Sequence, residues 1–291
     1  SVSGTSALNA GNGAITLTNA NNDFQGAVTA TGAGVSLVDV NDLAIAGLSG
    51  GANGAVSLIA GGVLALPAGS IDTGTANLTL ASNGGSLTTP GALSGANISL
   101  TGRDGVTLNN DVTASGALNL VSGAAINQSA GIITAGTLTG SSVGSTTLNQ
   151  ANRIGTLGSF SAANFNLANA QALTVSGPLT TTGNSGNISL TTTSGALAVD
   201  ADLQGAVVAL TSADNLALSR NLTGTTVALV SGGNINQSAG IITASTLNGS
   251  SVGTTTLNGA NMVGTLGSFS ATSFALTNAQ TLYVTGPVIG G

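Results

Sequence analysis

VSLVDVNDLAI occupies residues 35–45, and VSLIAGGVLAL follows at 56–66. Both begin with an apolar residue, a spacer and a second apolar residue. Five residues later the same trio returns, so the first stretch sets Val35 and Leu37 against Leu43 and Ile45. In an extended strand, residues two apart share a face, so each trio buries a pair of side chains together. The intervening five residues draw heavily on Gly, Asn, Asp, Ser and Thr, the chemistry of a turn.

The template recurs in ISLTGRDGVTL (98–108), FNLANAQALTV (165–175), VALTSADNLAL (208–218) and FALTNAQTLYV (274–284), and more loosely from Ile15, Leu78, Leu118, Ile188 and Val227. Steps between starting positions run from 19 to 23 residues, apart from two gaps of 47. Those gaps hold GTLTGSSVGSTTLNQANRIGTLGSF (136–160) and its twin at 245–269, each expected to form one extra, less regular turn. Above the short unit lies a longer repeat: 118–179 aligns with 227–288 without a gap at about seventy per cent identity, and INQSAGIITA stands at both 126–135 and 235–244. Five short units fill its 109 residues.

One such unit cannot enclose its own apolar face, whereas units stacked in register share a continuous core. The fold expected is therefore all-β, a parallel β-helix or β-solenoid. It has about 20–22 residues per rung, three short strands in each, and one domain spanning 1–291. About thirteen rungs at ~4.8 Å would give a rod about 60–65 Å long. Inward positions are Val, Leu and Ile, with Phe165 and Phe274 filling wider rungs and Phe160 and Phe269 packing beside them. Outward positions are small or hydroxylated, as in Ala44, Ala65, Thr107, Thr174 and Ala217. A bundle lacks its helical period here, and a membrane β-barrel needs strands of about ten alternating residues.

Composition narrows the function. Charged residues make up only 4% of the 291, with no Lys, Glu, His, Cys or Trp. Arg103, Arg153 and Arg220 stand against nine Asp, so nucleic acid and anionic membrane surfaces are not expected partners. Gly, Ser, Thr or Asn interrupts every apolar run before it can span a bilayer, so no membrane insertion is expected. No secretion leader is visible at Ser1.

General acid–base chemistry draws on His, Glu, Asp, Lys or Tyr, which leaves the Asp residues and Tyr283. The sharpest candidate is VDADL, where Asp200 and Asp202 share one face of an extended segment. Paired carboxylates can serve glycoside hydrolysis or contribute to a calcium site. The plainer expectation is a solvated patch at a rung's edge, with no catalytic, cofactor or metal residue and no enzymatic activity. Asn41, Asp104, Gln171, Asp214 and Gln280 each fall six residues after a rung start, so stacked side chains there are expected to form a polar ladder. Asp23, Asp39, Asp42, Asp72 and Asp111 suit turns. The Gly clusters GGANG (50–54) and SGG (231–233) come without the Lys of a phosphate-binding loop. Sequons such as Asn77-Leu-Thr and Asn187-Ile-Ser follow from an Asn/Ser/Thr-rich composition. The outward Thr16, Ser36, Ser57, Thr79, Ser99 and Asn119 are too mixed for an ice-binding Thr array.

ITLTNANNDFQGAV (15–28), INQSAGIITA and TLNGANMVGTLGSF (256–269) resemble the repeat regions of filamentous-haemagglutinin-like bacterial adhesins exported by two-partner secretion. The resemblance covers nearly the whole chain at the level of repeat style. It implies a right-handed parallel β-helix, secreted to the surface of a Gram-negative cell through an outer-membrane transporter. The implied work is adhesion, aggregation or biofilm formation, with a surface glycan or protein, or other copies of the chain, as partner. The family's Asn-rich secretion motifs are not found here. VTGPVIGG (284–291) matches VSGPLTTT (175–182), which runs on into further rungs. The expectation is an excerpt of a longer rod, or a subunit whose ends stack into a filament. A polysaccharide-cleaving β-helix enzyme is the remaining alternative.

Overall fold

The structure, a computed structural model, describes residues 1–50 and 53–290. Within the GGANG cluster, Gly51 and Ala52 lie outside the described residues. Among the described residues strands dominate, the one helical element is a short 3-10 turn at Thr182–Asn184, and the strand pairings are parallel. No helix among the described residues is long and apolar enough to cross a membrane. The chain forms two compact units, Ser1–Gly144 and Ser145–Gly291. Each is a parallel β-solenoid.

In the first unit the expected rung starts stand one above another. Ile15 pairs with Val35, Val35 with Val56, Val56 with Leu78, Leu78 with Ile98 and Ile98 with Leu118, and Leu138 extends the column. This column is the first wall. The second apolar trios make a second wall, in which Leu87 pairs with Val106 and Val106 with Ile126. The third wall, expected from three strands per rung but not located by the two-trio template, runs through Ile71, Leu93, Val112 and Ile133. It closes the coil with pairs such as Val112 and Ala114, whose burial alternates as a strand of period two requires. Leu37, Leu100 and Leu210 are all fully enclosed, so the trios point inward as expected. Each such side chain contributes about 1.5–3 kcal/mol by leaving water.

The second unit repeats this plan. Its first wall passes through Phe165, Ile188, Val208, Val227 and Leu247. Its second wall passes through Leu173, Leu197, Leu216, Ile235 and Thr255, and its third through Phe160, Leu179, Leu203, Leu222 and Ile242. The rings of Phe160 and Phe165 stand 4.7 Å apart, and those of Phe269 and Phe274 stand 4.6 Å apart; Phe160, Phe165 and Phe269 pack in the core, whereas Phe274 is only half-buried.

The 47-residue step of the second unit departs from the expected extra turn. From Val227 on the first wall the strands run to 235–237 on the second, 242–244 on the third and 247–249 on the first. They continue to 255–257 on the second, 262–263 on the third, 265–270 on the first, and reach Phe274 on the second. Seven wall-to-wall steps in a three-walled coil make two and one third turns, not two. Phe165 and Phe274, identical in the repeat, therefore sit on different walls. The 109-residue block holds five and one third turns. The template tolerates the slip because all three walls ask for the same thing: a short strand with two apolar side chains turned inward.

Candidate functional site

A side chain four residues beyond a rung start points inward again, now at the corner where the chain turns from the first wall to the second. Ser82, Ser122, Ser142, Asn169, Thr192, Ser212 and Ser231 hold this place and are buried. Their polar atoms bind the turn that follows, save that Ser82 Oγ binds Gly62 and Leu64 of the preceding coil. Ser122 Oγ donates to the Ala125 carbonyl at 3.0 Å, Thr192 Oγ1 to that of Gly195 at 3.0 Å, and Ser231 Oγ to that of Asn234 at 3.1 Å. Ser212 also accepts the backbone N–H of Leu197 from the preceding coil at 3.1 Å. The polar ladder exists, but two residues earlier than expected. Position six lies beyond the bend and faces outward: Asp104 is exposed beside Arg103, at 3.4 Å, and Asp214 accepts the N–H of Asn215. Gln171 and Gln280 serve the turn through their main-chain carbonyls, which accept from Asn169 and Asn278. Asn41 does donate its side-chain amide, to Asp23.

Asp200 and Asp202 both point outward, on the same face as expected, and each binds the next coil. Asp200 accepts the Ser219 hydroxyl at 2.7 Å, and Asp202 accepts the N–H of Asn221 at 3.0 Å. Two other carboxylates are used alike. Asp42 takes the N–H of Val63 and Asp111 that of Ile132, each at 2.7 Å. Asp39 alone turns into the core, where it accepts the N–H groups of Phe24 and Asn41 at 2.8 and 3.0 Å. Asp72 accepts the Ser94 hydroxyl at 2.6 Å and the N–H of Gly74 at 2.8 Å. The Ser94 bond, with help from Gly74, holds its carboxyl below the ordinary value. Among the described residues no three His, Cys, Asp or Glu side chains come together as a metal site.

Asn side chains do the same staple work. Asn215 Oδ1 accepts the N–H of Asn234, and Asn234 Oδ1 accepts that of Thr254, both at 2.8 Å. A carboxamide or carboxylate at an outer corner reaches a backbone N–H one coil on and fixes the stacking register. Sequence reasoning placed these residues in turns and missed that role. Their spacing of about one rung was the available signal.

The surfaces left for recognition are plain. In the first unit the outer side of the first wall carries Ser36, Ser57, Thr79 and Ser99 in one column, and Val38, Ile59, Ala81 and Thr101 beside it. A shallow groove of about 390 Å³ in the second unit is lined by Thr243, Ser245, Met262, Gly264 and Gln280, among others, with no ionisable group.

Fold and surface together define a parallel β-solenoid repeat protein. Residues 1–31 match a family described as repeats of unknown function (DUF5649). No curated protein and no solved structure matches the chain.

Proposed function

We propose that the chain is a structural β-solenoid, the stalk of a secreted bacterial cell-surface adhesin, and that it is not an enzyme. The observation that carries this reading is the use made of the carboxylates. Asp200 and Asp202, the best candidates for chemistry, are engaged by the coil above or below, as Asp42 and Asp111 are. A molecule that spends several of its few ionisable groups on its own stacking is built to span distance. The repeat style of 15–28, 126–135 and 256–269, which resembles two-partner-secretion exoproteins, supports the surface location and the adhesive role. Partners would be surface glycans, surface proteins or further copies of the chain.

Antibodies raised against residues 1–291 test the reading on intact cells that make the protein. Labelling without permeabilisation, with attachment lost on deletion of the segment, is the expected result. Labelling only after permeabilisation overturns it. Electron microscopy of the purified chain is expected to show separate particles, and long fibres would replace the stalk with a filament subunit. Release of reducing ends from a polysaccharide, lost in Asp200→Ala, would restore the enzyme alternative.

A further inference from the structure

Gln237 and Asn261 stand inside the coil of the second unit, almost wholly buried, and their carboxamides bond reciprocally. Gln237 Nε2 donates to Asn261 Oδ1, and Asn261 Nδ2 donates to Gln237 Oε1, both at 2.9 Å. Gln237 Nε2 also donates to the carbonyl of Gly240 at 3.0 Å, and its Oε1 accepts the N–H of Gly259 at 3.1 Å. Asn261 Oδ1 accepts the N–H of Ile242 at 2.8 Å. Asn261 Nδ2 is shared with the carbonyls of Leu257 and Thr277, each at 3.1 Å. One side chain thus ties its own coil to the coil before it, through Gln237 and Ile242, and to the coil after it, through Thr277. It does so where the chain slips by a third of a turn.

A solenoid comes apart coil by coil, because each coil touches only its neighbours. Peeling breaks the backbone ladder a few bonds at a time, which offers little resistance at any instant. At Asn261 the next step must break the amide pair together with its bonds to Ile242 and Gly259, in a dry interior. The groups left behind there have no water to replace their partners.

We propose that the Gln237–Asn261 pair is a stop: it arrests unwinding of the second unit from the C-terminal side and holds the coils before residue 261 once those after it have peeled away. In a stalk the stop limits extension under axial load, and that use rests on the stalk reading. The arrest is a property of the chain alone and is measured without that reading.

The chain has no cysteine, so handles for optical-tweezer pulling can be placed at Arg220→Cys and Gly290→Cys, the first exposed and the second with open space where its Cβ would stand. Residues 262–290 are 29 residues, or about 10 nm of released contour at ~3.6 Å each. The expected trace releases that length and then pauses. In Gln237→Leu/Asn261→Leu the pause disappears, or its lifetime falls at least tenfold, while Asn278→Leu leaves it in place. The same pause in the double-Leu chain, with unchanged lifetime, overturns the proposal. Should the double-Leu chain fail to fold, the unsubstituted trace decides: release past residue 261 without a step, or a first pause elsewhere, also overturns it.

Discussion

The ring of Phe269 fills the space that a side chain on Gly249 would occupy. The two residues pair across adjacent coils, and a Cβ built on Gly249 would lie 2.7 Å from Cε2 of the ring and 2.3 Å from the carbonyl oxygen of Leu229. On the first wall the preceding coil puts Leu229 at the equivalent place. Glycine there lets one rung go empty so that the next can be over-filled, and the total volume stays constant along the core. Gly249→Ala is therefore expected to lower stability by about 1–3 kcal/mol, the usual cost of overpacking. Because the ring is one of the two obstacles, Gly249→Ala and Phe269→Ala together should cost less than the sum of the two alone. Denaturant titration of the four chains measures the coupling, and strict additivity would show that the ring does not occupy that space.

The two copies of the repeat supply an internal comparison. Phe165 is completely buried beneath Ile188, whereas Phe274, its counterpart, keeps part of its ring exposed. Phe165→Ala is expected to cost about 3–5 kcal/mol, as for a large core truncation. Phe274→Ala should cost clearly less, since less surface returns to water. Equal losses in a urea titration would mean that burial does not set the contribution of these rings.

How much of this was legible in the sequence depends on what repeats. Val35, Val56, Leu78, Ile98 and Leu118 announce the first wall because an apolar trio every rung admits one stacked arrangement. Three strands per rung were expected, but the residues of the third wall were hidden: Ile71, Leu93 and Val112 stand in stretches too short to show a period. The slip was hidden for a different reason. Phe165–Leu167 and Phe274–Leu276 obey the same pattern, and nothing in that pattern says which wall it will join. Asn261 is close in sequence to no partner except Leu257 and finds Gln237 only through coiling. The candidate site was legible only in part. VDADL showed that Asp200 and Asp202 share a face, but Ser219 and Asn221, which they hold, lie a full coil away.

The inward corner ladder gives a third expectation. Ser212 Oγ donates to the Asn215 carbonyl at 3.0 Å and accepts the Leu197 N–H at 3.1 Å, buried throughout. The Leu197 N–H also donates to the Asn215 carbonyl at 3.0 Å, so Ser212→Ala removes two supporting bonds without orphaning either group and should cost about 0.5–1.5 kcal/mol. Ser212→Thr keeps the hydroxyl and mirrors Thr192, so it should recover most of the loss. Thermal unfolding followed by circular dichroism distinguishes them. If Thr restores nothing, the hydroxyl is not what the corner needs.

Asp202 separates a structural carboxylate from a chemical one. Its Oδ1 accepts the N–H of Asn221 at 3.0 Å, a task that a neutral carboxamide oxygen performs equally well. Asp202→Asn should therefore leave stability within about 0.5 kcal/mol, and Asp202→Ala should lose about 0.5–1.5 kcal/mol. A group that worked by its charge would close that gap, with Asn as damaging as Ala.

Asp72 makes one contribution to the pH dependence of the first unit. The Ser94 hydroxyl, and after it the Gly74 N–H, stabilise its charged form and hold its folded value below the unfolded one, near 3.9. The sign follows from linkage: the contribution is fully present above the unfolded value and disappears as pH falls through the lowered folded value. Asp72 lies exposed on the surface, so the contribution is modest and is reduced by salt. Asp72→Asn should make the urea midpoint of residues 1–144 less dependent on pH below about 4, with little change at pH 7. The comparison is the difference between the two curves. Parallel curves down to the lowest pH would show that neither Ser94 nor Gly74 prefers the carboxylate.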